Sequence, residues 1–255
     1  MKIHVIGSSG SEVPGRNLPA FLVDDFLFLD AGTIGLALNK KAEEKITHLL
    51  ITHAHLDHIK GIPFFVDNLV SNRFRHPVTI MSGRDVLSDI RKNIFNNRIW
   101  PDFASIPDKK NPVIRYKAVP MRGYATIGGY KVHAVRVNHS VPAYGYIIED
   151  DRGKSLVYTG DTGPTDRLWK VMGSYNVKVL IIEASFPNSM RDLAIKTGHL
   201  TPSLLAEEIR KMKKLPEEIY VTHAKPQYMS VIESELGNIK DHFVAILRDN
   251  TVISV

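Results

Sequence analysis

Short apolar runs rich in β-branched residues, broken by glycine, proline and aspartate, recur along the chain and predict strands before anything else. Residues 3–7, 20–23 and 26–30 read as strands, with Asp24-Asp25 as the hairpin turn between the last two. A second series, at residues 130–137, 144–148, 155–159, 179–183 and 219–222, has the same character, so two β layers are expected. One helix is well marked. Thr201 is its N-cap, Pro202 its first residue, and Leu204, Leu205, Ile209 and Met212 its inward face; the lysines at its end complement its dipole. It is expected to cover one sheet face. Residues 93–120, with their prolines and aromatics, form the least regular stretch. No repeat, low-complexity tract or linker divides the chain, and 255 residues fit a single domain over residues 1–255.

Composition narrows the class. The 44% hydrophobic content supports a sizeable core, and no run is long and apolar enough to span a membrane. The first residues enter a strand at once, without the charged start, apolar stretch and cleavage site of an export signal, so a soluble cytoplasmic protein is expected. Cysteine is absent, which excludes disulfides and thiolate ligands; any metal must be held by nitrogen and oxygen. The net charge of +6 suits a phosphate-bearing substrate, because a positive field concentrates anions. Lys40-Lys41, Lys109-Lys110 and Lys211-Met212-Lys213-Lys214 are short and scattered, without interleaved aromatics, and read as solvated surface rather than a nucleic-acid track.

The chemistry is concentrated in Thr52-His53-Ala54-His55-Leu56-Asp57-His58. Neutral imidazoles suit zinc, iron and manganese, and a carboxylate is a harder donor that also holds a second ion. So short a run cannot wrap all its donors around one tetrahedral ion. His53 and His55 flank one residue and can face the same ion, whereas Asp57 and His58 come after the chain has begun to turn and face a neighbour. The apolar run before the cluster and Gly61-Ile62-Pro63 after it place it on a loop leaving a buried strand. Further donors follow in order at the ends of β-like runs: His139, Asp161 and His223.

This series resembles the full ligand set of the metallo-β-lactamase superfamily. The resemblance implies an α+β fold, a four-layer αββα sandwich with a binuclear site along one edge. It also implies one ion held by His53, His55 and His139, a second by Asp57, His58 and His223, and Asp161 bridging them. Residues 95–103, 160–166, 182–188, 198–202 and 222–226 further resemble class II 3′,5′-cyclic-nucleotide phosphodiesterases over nearly the whole chain. After His58-Ile59-Lys60-Gly61 that family continues through small and aliphatic residues to a serine, whereas this chain reads Ile62-Pro63-Phe64-Phe65, so the wall beside the metals is expected to differ.

The expected reaction is hydrolysis of cyclic AMP or cyclic GMP to the 5′-nucleotide by hydroxide generated at two divalent ions. Zinc is the first expectation, and manganese or iron is accepted by the same donors. Asp57 is expected to orient the nucleophile, His199 to protonate the leaving oxygen, and Glu183 to orient His199. Phe95, Trp100 and Phe103 are candidates to sandwich a base, and Asn138, Ser140 and Lys225 to reach a phosphate oxygen. A small phosphodiester is thus the expected partner, with monomer and homodimer both open. Two alternatives stand. A tRNA 3′-processing endonuclease shares the ligand series and a turn like Gly198-His199-Leu200-Thr201, but commonly carries a long arm that the interval from His139 to Asp161 is too short to hold. A cyclic-nucleotide or metal sensor would bind without turnover.

Overall fold

The computed structural model describes residues 1–35, 38–71, 76–239 and 244–255. The first sheet is built from β1 (Lys2–Gly7), β2 (Ala20–Val23), β3 (Leu27–Leu29), β4 (His48–Leu50), β5 (Val78–Ser82) and β6 (Ile114–Ala118). The second takes β7 (Ala125–Ile127), β8 (Tyr130–Arg136), β9 (Tyr144–Glu149), β10 (Lys154–Tyr158), β11 (Asn176–Glu183), β12 (Glu218–Thr222) and β13 (Val244–Ile246); β14 (Val252–Ser254) returns to the first beside β1. Each sheet has one antiparallel half and one parallel half. The parallel pairs are β3 to β6 in the first and β10 to β13 in the second.

Local chemistry explains the elements that the pattern marked. Asp24 and Asp25 turn the β2–β3 hairpin with φ of 43° and 63°, the left-handed pair that a two-residue primed turn requires. The parallel connections are made by helices: α1 (Lys40–Glu43), α2 (Leu56–Ile59), α3 (Gly61–Ser71), α4 (Arg84–Asn93), α5 (Arg167–Met172), α6 (Arg191–Thr197), α7 (Pro202–Lys211) and α8 (Met229–Leu236). The helix expected from Thr201 is α7, with Thr201 Oγ1 accepting from the Leu204 amide and Pro202 in its first turn.

Buried strands of the second sheet divide their side chains by the period of two. Tyr146, Ile148, Leu156, Tyr158, Val179 and Ile181 join the core between the sheets, while Ile147, Val157, Leu180 and Ile182 face the helices α5 to α8. Phe21 meets Tyr158 edge to face across the sheets at 5.1 Å. On the outer side of the first sheet, Ile62, Phe65, Val66 and Leu69 of α3 and Val86, Leu87 and Ile90 of α4 complete the layer. The architecture is the α+β αββα sandwich. No helix among the described residues is long and apolar enough to cross a membrane.

Two expectations are corrected. The histidine cluster is not all loop, because Asp57 and His58 lie in the single-turn helix α2, whose N-cap is His55. The stretch 93–120 contains the edge strand β6, which pairs with β5 through five residues; charged residues alternating with half-buried ones disguised it in the sequence.

Candidate metal centre

The site forms where strands of both sheets end. Asp30 follows β3, the His53 run follows β4, Asp161 follows β10, Glu183 closes β11 and His223 follows β12. These are the carboxyl ends of parallel-paired strands, the end at which such sheets present their chemistry. His139 enters from the loop after β8.

Three sets of donor atoms converge among the described residues, each within 4.8 Å: Glu183, His199 and His223 in one, and two that share Asp161, with His53, His55, His139 and Asp161 in the first and Asp57, His58, Asp161 and His223 in the second. Asp161 belongs to both. In the first set His55 Nδ1 lies 3.2 Å from His139 Nε2, and His53 Nε2 lies 3.7 Å from Asp161 Oδ2. In the second, His223 Nε2 lies 3.3 Å from His58 Nε2, 3.2 Å from Asp57 Oδ2 and 3.4 Å from Asp161 Oδ2. His53 Nε2 and Asp161 Oδ1 are buried without a hydrogen-bond partner, a costly condition for polar atoms out of water. A divalent ion in each of the two sets that share Asp161 would satisfy these atoms, and nitrogen and oxygen donors of this kind suit it. The residues present therefore fit the metals that the fold implies.

Charge is distributed to the same end. Burial, and then the neighbouring His58, hold His53 well below the ordinary histidine value; burial and His139 lower His55. Both are kept neutral, the state in which imidazole ligates. Burial also opposes charge on His58, but Asp161 and Asp30 outweigh it and raise its pKa well above the ordinary value. For Asp57, burial is outweighed by the hydrogen bond from His223 and the charge of His58, which together bring it down to about 2.

Two buried carboxylates orient the ring nitrogens. Asp30 accepts from His58 Nδ1 at 2.7 Å, from the Thr52 amide at 2.7 Å and from Tyr158 Oη at 2.7 Å. Thr52 Oγ1 gives its proton to Asp30, so at 3.0 Å it accepts from His53 Nδ1 and leaves Nε2 for the centre. Glu183 accepts from His199 Nδ1 at 2.7 Å, from Ser185 Oγ at 2.7 Å and from the amides of Thr162, Ser185 and Leu200. Ser185 Oγ in turn accepts from His223 Nδ1 at 2.8 Å. Burial opposes the charge of His199, but Glu183 overrides it and lifts its pKa to about 9. His139 Nδ1 donates to the Gly198 carbonyl at 2.8 Å. Gly198 has φ 73° as the cap of α6, and a Cβ there would stand 2.9 Å from His139 Cα, so both its conformation and its closeness to the site require glycine.

All seven residues expected to bind metal are thus brought together, with His199 and Glu183 beside them. Asp30, Thr52, Ser185 and the Gly198 carbonyl were not anticipated. A carboxylate closing an apolar run, as in Leu27-Phe28-Leu29-Asp30, was the available signal for the first. The expected base sandwich is corrected at two positions. Phe95 and Phe103 are 3% and 4% exposed, pack edge to face in the core, and neither lines the recess beside His55. Trp100 is half-buried and meets Phe64 edge to face at 5.4 Å. Asn138 Nδ2 donates to the Pro164 carbonyl and so ties the His139 loop to the Asp161 loop. Lys225 Nζ donates to the Gly10 carbonyl and lies over the Phe186 ring. Ser140 is exposed.

An apolar recess opens beside His55. A cavity of about 180 Å³ lined by Ala54, His55, Ile59, Asp89, Asn93, Ile94 and Val141 adjoins another of about 290 Å³ through Ile59 and Ile94. The second is walled by Phe64, Ile99 and Trp100, and Phe64 is 55% exposed. The departure Ile62-Pro63-Phe64-Phe65 is divided here, since Phe65 enters the core and Phe64 forms the wall.

Comparison with known proteins gives a consistent picture. A family model described as "Beta-lactamase superfamily domain" matches residues 29–224. A probable 3′,5′-cyclic-nucleotide phosphodiesterase of Yersinia pestis is 25% identical over 72% of this chain, and the match spans 59% of that longer protein. A ribonuclease Z of Archaeoglobus fulgidus is 25% identical over 99% of this chain and 95% of its own length. The crystal structure of unliganded yeast PDE1 superposes with a TM-score of 0.83 at 19% identity, covering 100% of this chain and 99% of that one.

Proposed function

The chain belongs to the beta-lactamase superfamily and is a metal-dependent hydrolase, and from that premise we propose that it hydrolyses 3′,5′-cyclic nucleotides to 5′-nucleotides. The observation that carries this reading is the recess of base size opening directly from His55. His53, His55 and His139 would hold one ion and Asp57, His58 and His223 a second, with Asp161 common to both donor sets. When bound, the ions neutralise phosphoryl oxygens and make water a nucleophile at neutral pH.

The protein groups have separate tasks. Asp57 accepts a hydrogen bond from the attacking water and fixes its direction. The attacking water gives up one proton to solvent, its oxygen adds to phosphorus as the bond from phosphorus to the 3′ oxygen breaks, and His199 gives that oxygen its Nε2 proton and then regains one from solvent. Glu183 holds His199 Nδ1–H, which keeps Nε2 available and keeps the ring charged before transfer. The base is taken by the recess, with Phe64 and Trp100 along its wall.

A second reading, RNA phosphodiester cleavage, is favoured by the near end-to-end match with the archaeal ribonuclease Z. Against tRNA as substrate, the interval between His139 and Asp161 is taken up by the β9–β10 hairpin, with no projecting arm. The test is hydrolysis of cyclic AMP by protein loaded separately with zinc, manganese and iron, with His55→Ala as control and a precursor tRNA in parallel. We expect 5′-AMP that disappears in the control. A fully metallated protein that cleaves neither cyclic AMP nor cyclic GMP overturns the reading, and cleavage of the tRNA alone puts the second in its place. Cyclic-nucleotide binding without turnover makes the protein a sensor.

A further inference from the structure

We propose that a cavity on the far side of α4 from the metal centre binds a phosphate-bearing small molecule of mononucleotide size. Its volume is about 600 Å³, within the usual range for small-molecule sites, and it shares no lining residue with the recess beside His55. Helical spacing makes the separation. Asp89 and Asn93 line the recess, whereas Arg84 and Ser88, four apart, and Arg91 and Lys92, three and four beyond Ser88, share a different face and line the second cavity. Tyr116 of the edge strand β6 and the turn carrying Asn97 and Asp102 close it.

Two independent observations point to a ligand. Arg84, Arg91 and Lys92 have no carboxylate partner within ion-pair distance among the described residues, and Asp102 is the one carboxylate in the lining. Three cations facing one cavity repel each other and attract an anion; guanidinium groups match phosphate oxygens with paired donors. Tyr116 lines the same cavity, so an aromatic ring and three cations share it. Arg91 already lies 5.3 Å over the Tyr116 ring, a placement that presents a flat cationic surface to a base. Asp102 can take a hydrogen bond from a sugar hydroxyl, which an inorganic anion alone would not offer.

The experiment is calorimetric titration of the metal-loaded full chain, and of three variants, with 5′-AMP, adenosine and a single-stranded oligoribonucleotide. We expect 5′-AMP to bind, adenosine to bind far more weakly, and the Arg84→Ala/Arg91→Ala variant to lose about tenfold or more in affinity for 5′-AMP. Tyr116→Phe, which keeps the ring and fills the same space, is expected to weaken binding by less. His55→Ala, altered only at the metal centre, is expected to retain the interaction. Absence of binding, equal binding of adenosine, an affinity unchanged in the double arginine variant, or loss confined to His55→Ala would each overturn the proposal. Binding of the oligoribonucleotide without 5′-AMP would overturn it in favour of an RNA track. The test does not depend on turnover, so it stands or falls separately from the proposed reaction.

Discussion

Asp30 and Glu183 occupy matching places in the two sheets, and the difference between them divides the work of the site. Each lies at the carboxyl end of a parallel-paired strand, fully buried and surrounded by donors. Each holds one histidine directly and a second through a hydroxyl: Asp30 holds His58 and, through Thr52, His53; Glu183 holds His199 and, through Ser185, His223. Both histidines on Asp30 point into the donor sets. On Glu183 only His223 enters the two sets that share Asp161, while His199, which converges with Glu183 and His223 alone, stays 12% exposed at the rim. The same carboxylate–hydroxyl–histidine device thus serves ligand geometry on one sheet and, in our reading, both ligand geometry and proton transfer on the other.

The largest effect should come from the rim histidine. His199→Ala is expected to lower kcat by about 10²- to 10⁴-fold, the usual contribution of a general acid, with metal content unchanged by elemental analysis. If the metal is lost as well, Glu183 supports ligation alone and the contrast with Asp30 disappears. Next comes Asp30→Asn, which puts an amide among four donors. Metal affinity measured by chelator competition should fall about 10- to 100-fold. Glu183→Gln should mainly reduce turnover, and equal effects of the two substitutions on metal affinity would break the comparison. Removal of one hydroxyl should do less. Thr52→Val and Ser185→Ala are each expected to weaken metal binding by about tenfold, the low end for support of a ligand, in the same competition assay. The smallest effect belongs to the wall. Phe64→Ala should raise KM for cyclic AMP while leaving hydrolysis of methyl p-nitrophenyl phosphate, which has no base, unchanged; equal loss on both substrates would remove Phe64 from base recognition.

Much of the fold was legible because its signals are local. The Asp24-Asp25 turn, the Thr201-Pro202 helix start and the strands at 179–183 and 219–222 each follow from a few neighbouring residues, and each lies within a few residues of its expected bounds. The edge strand β6 escaped because an edge is half-solvated, so Ile114-Arg115-Tyr116-Lys117-Ala118 lacks the apolar run that marks a central strand. Phe95 and Phe103 misled for the opposite reason. Aromatics in a stretch of irregular pattern look available for a ligand, yet this loop carries its own packing and buries them.

What the sequence determined alone was chemical identity: two β layers, a capped helix, and seven nitrogen and oxygen donors in an order that resembles one superfamily. Donor type is a property of the residue, and His53 to His58 are bound to be neighbours whatever the fold. Tertiary structure decided the rest. It brought His139, Asp161 and His223 to the first cluster from positions 86, 108 and 170 residues beyond His53, because β10, β11 and β12 pair in parallel and β8, antiparallel to the β9 that is itself antiparallel to β10, runs in the same direction, so all end along one edge. It also chose which nitrogen of His53, His58, His139 and His223 faces the centre, through the partners Thr52, Asp30, the Gly198 carbonyl and Ser185. A ring tautomer is set by the hydrogen bond on its other side, and that bond comes from residues distant in the chain.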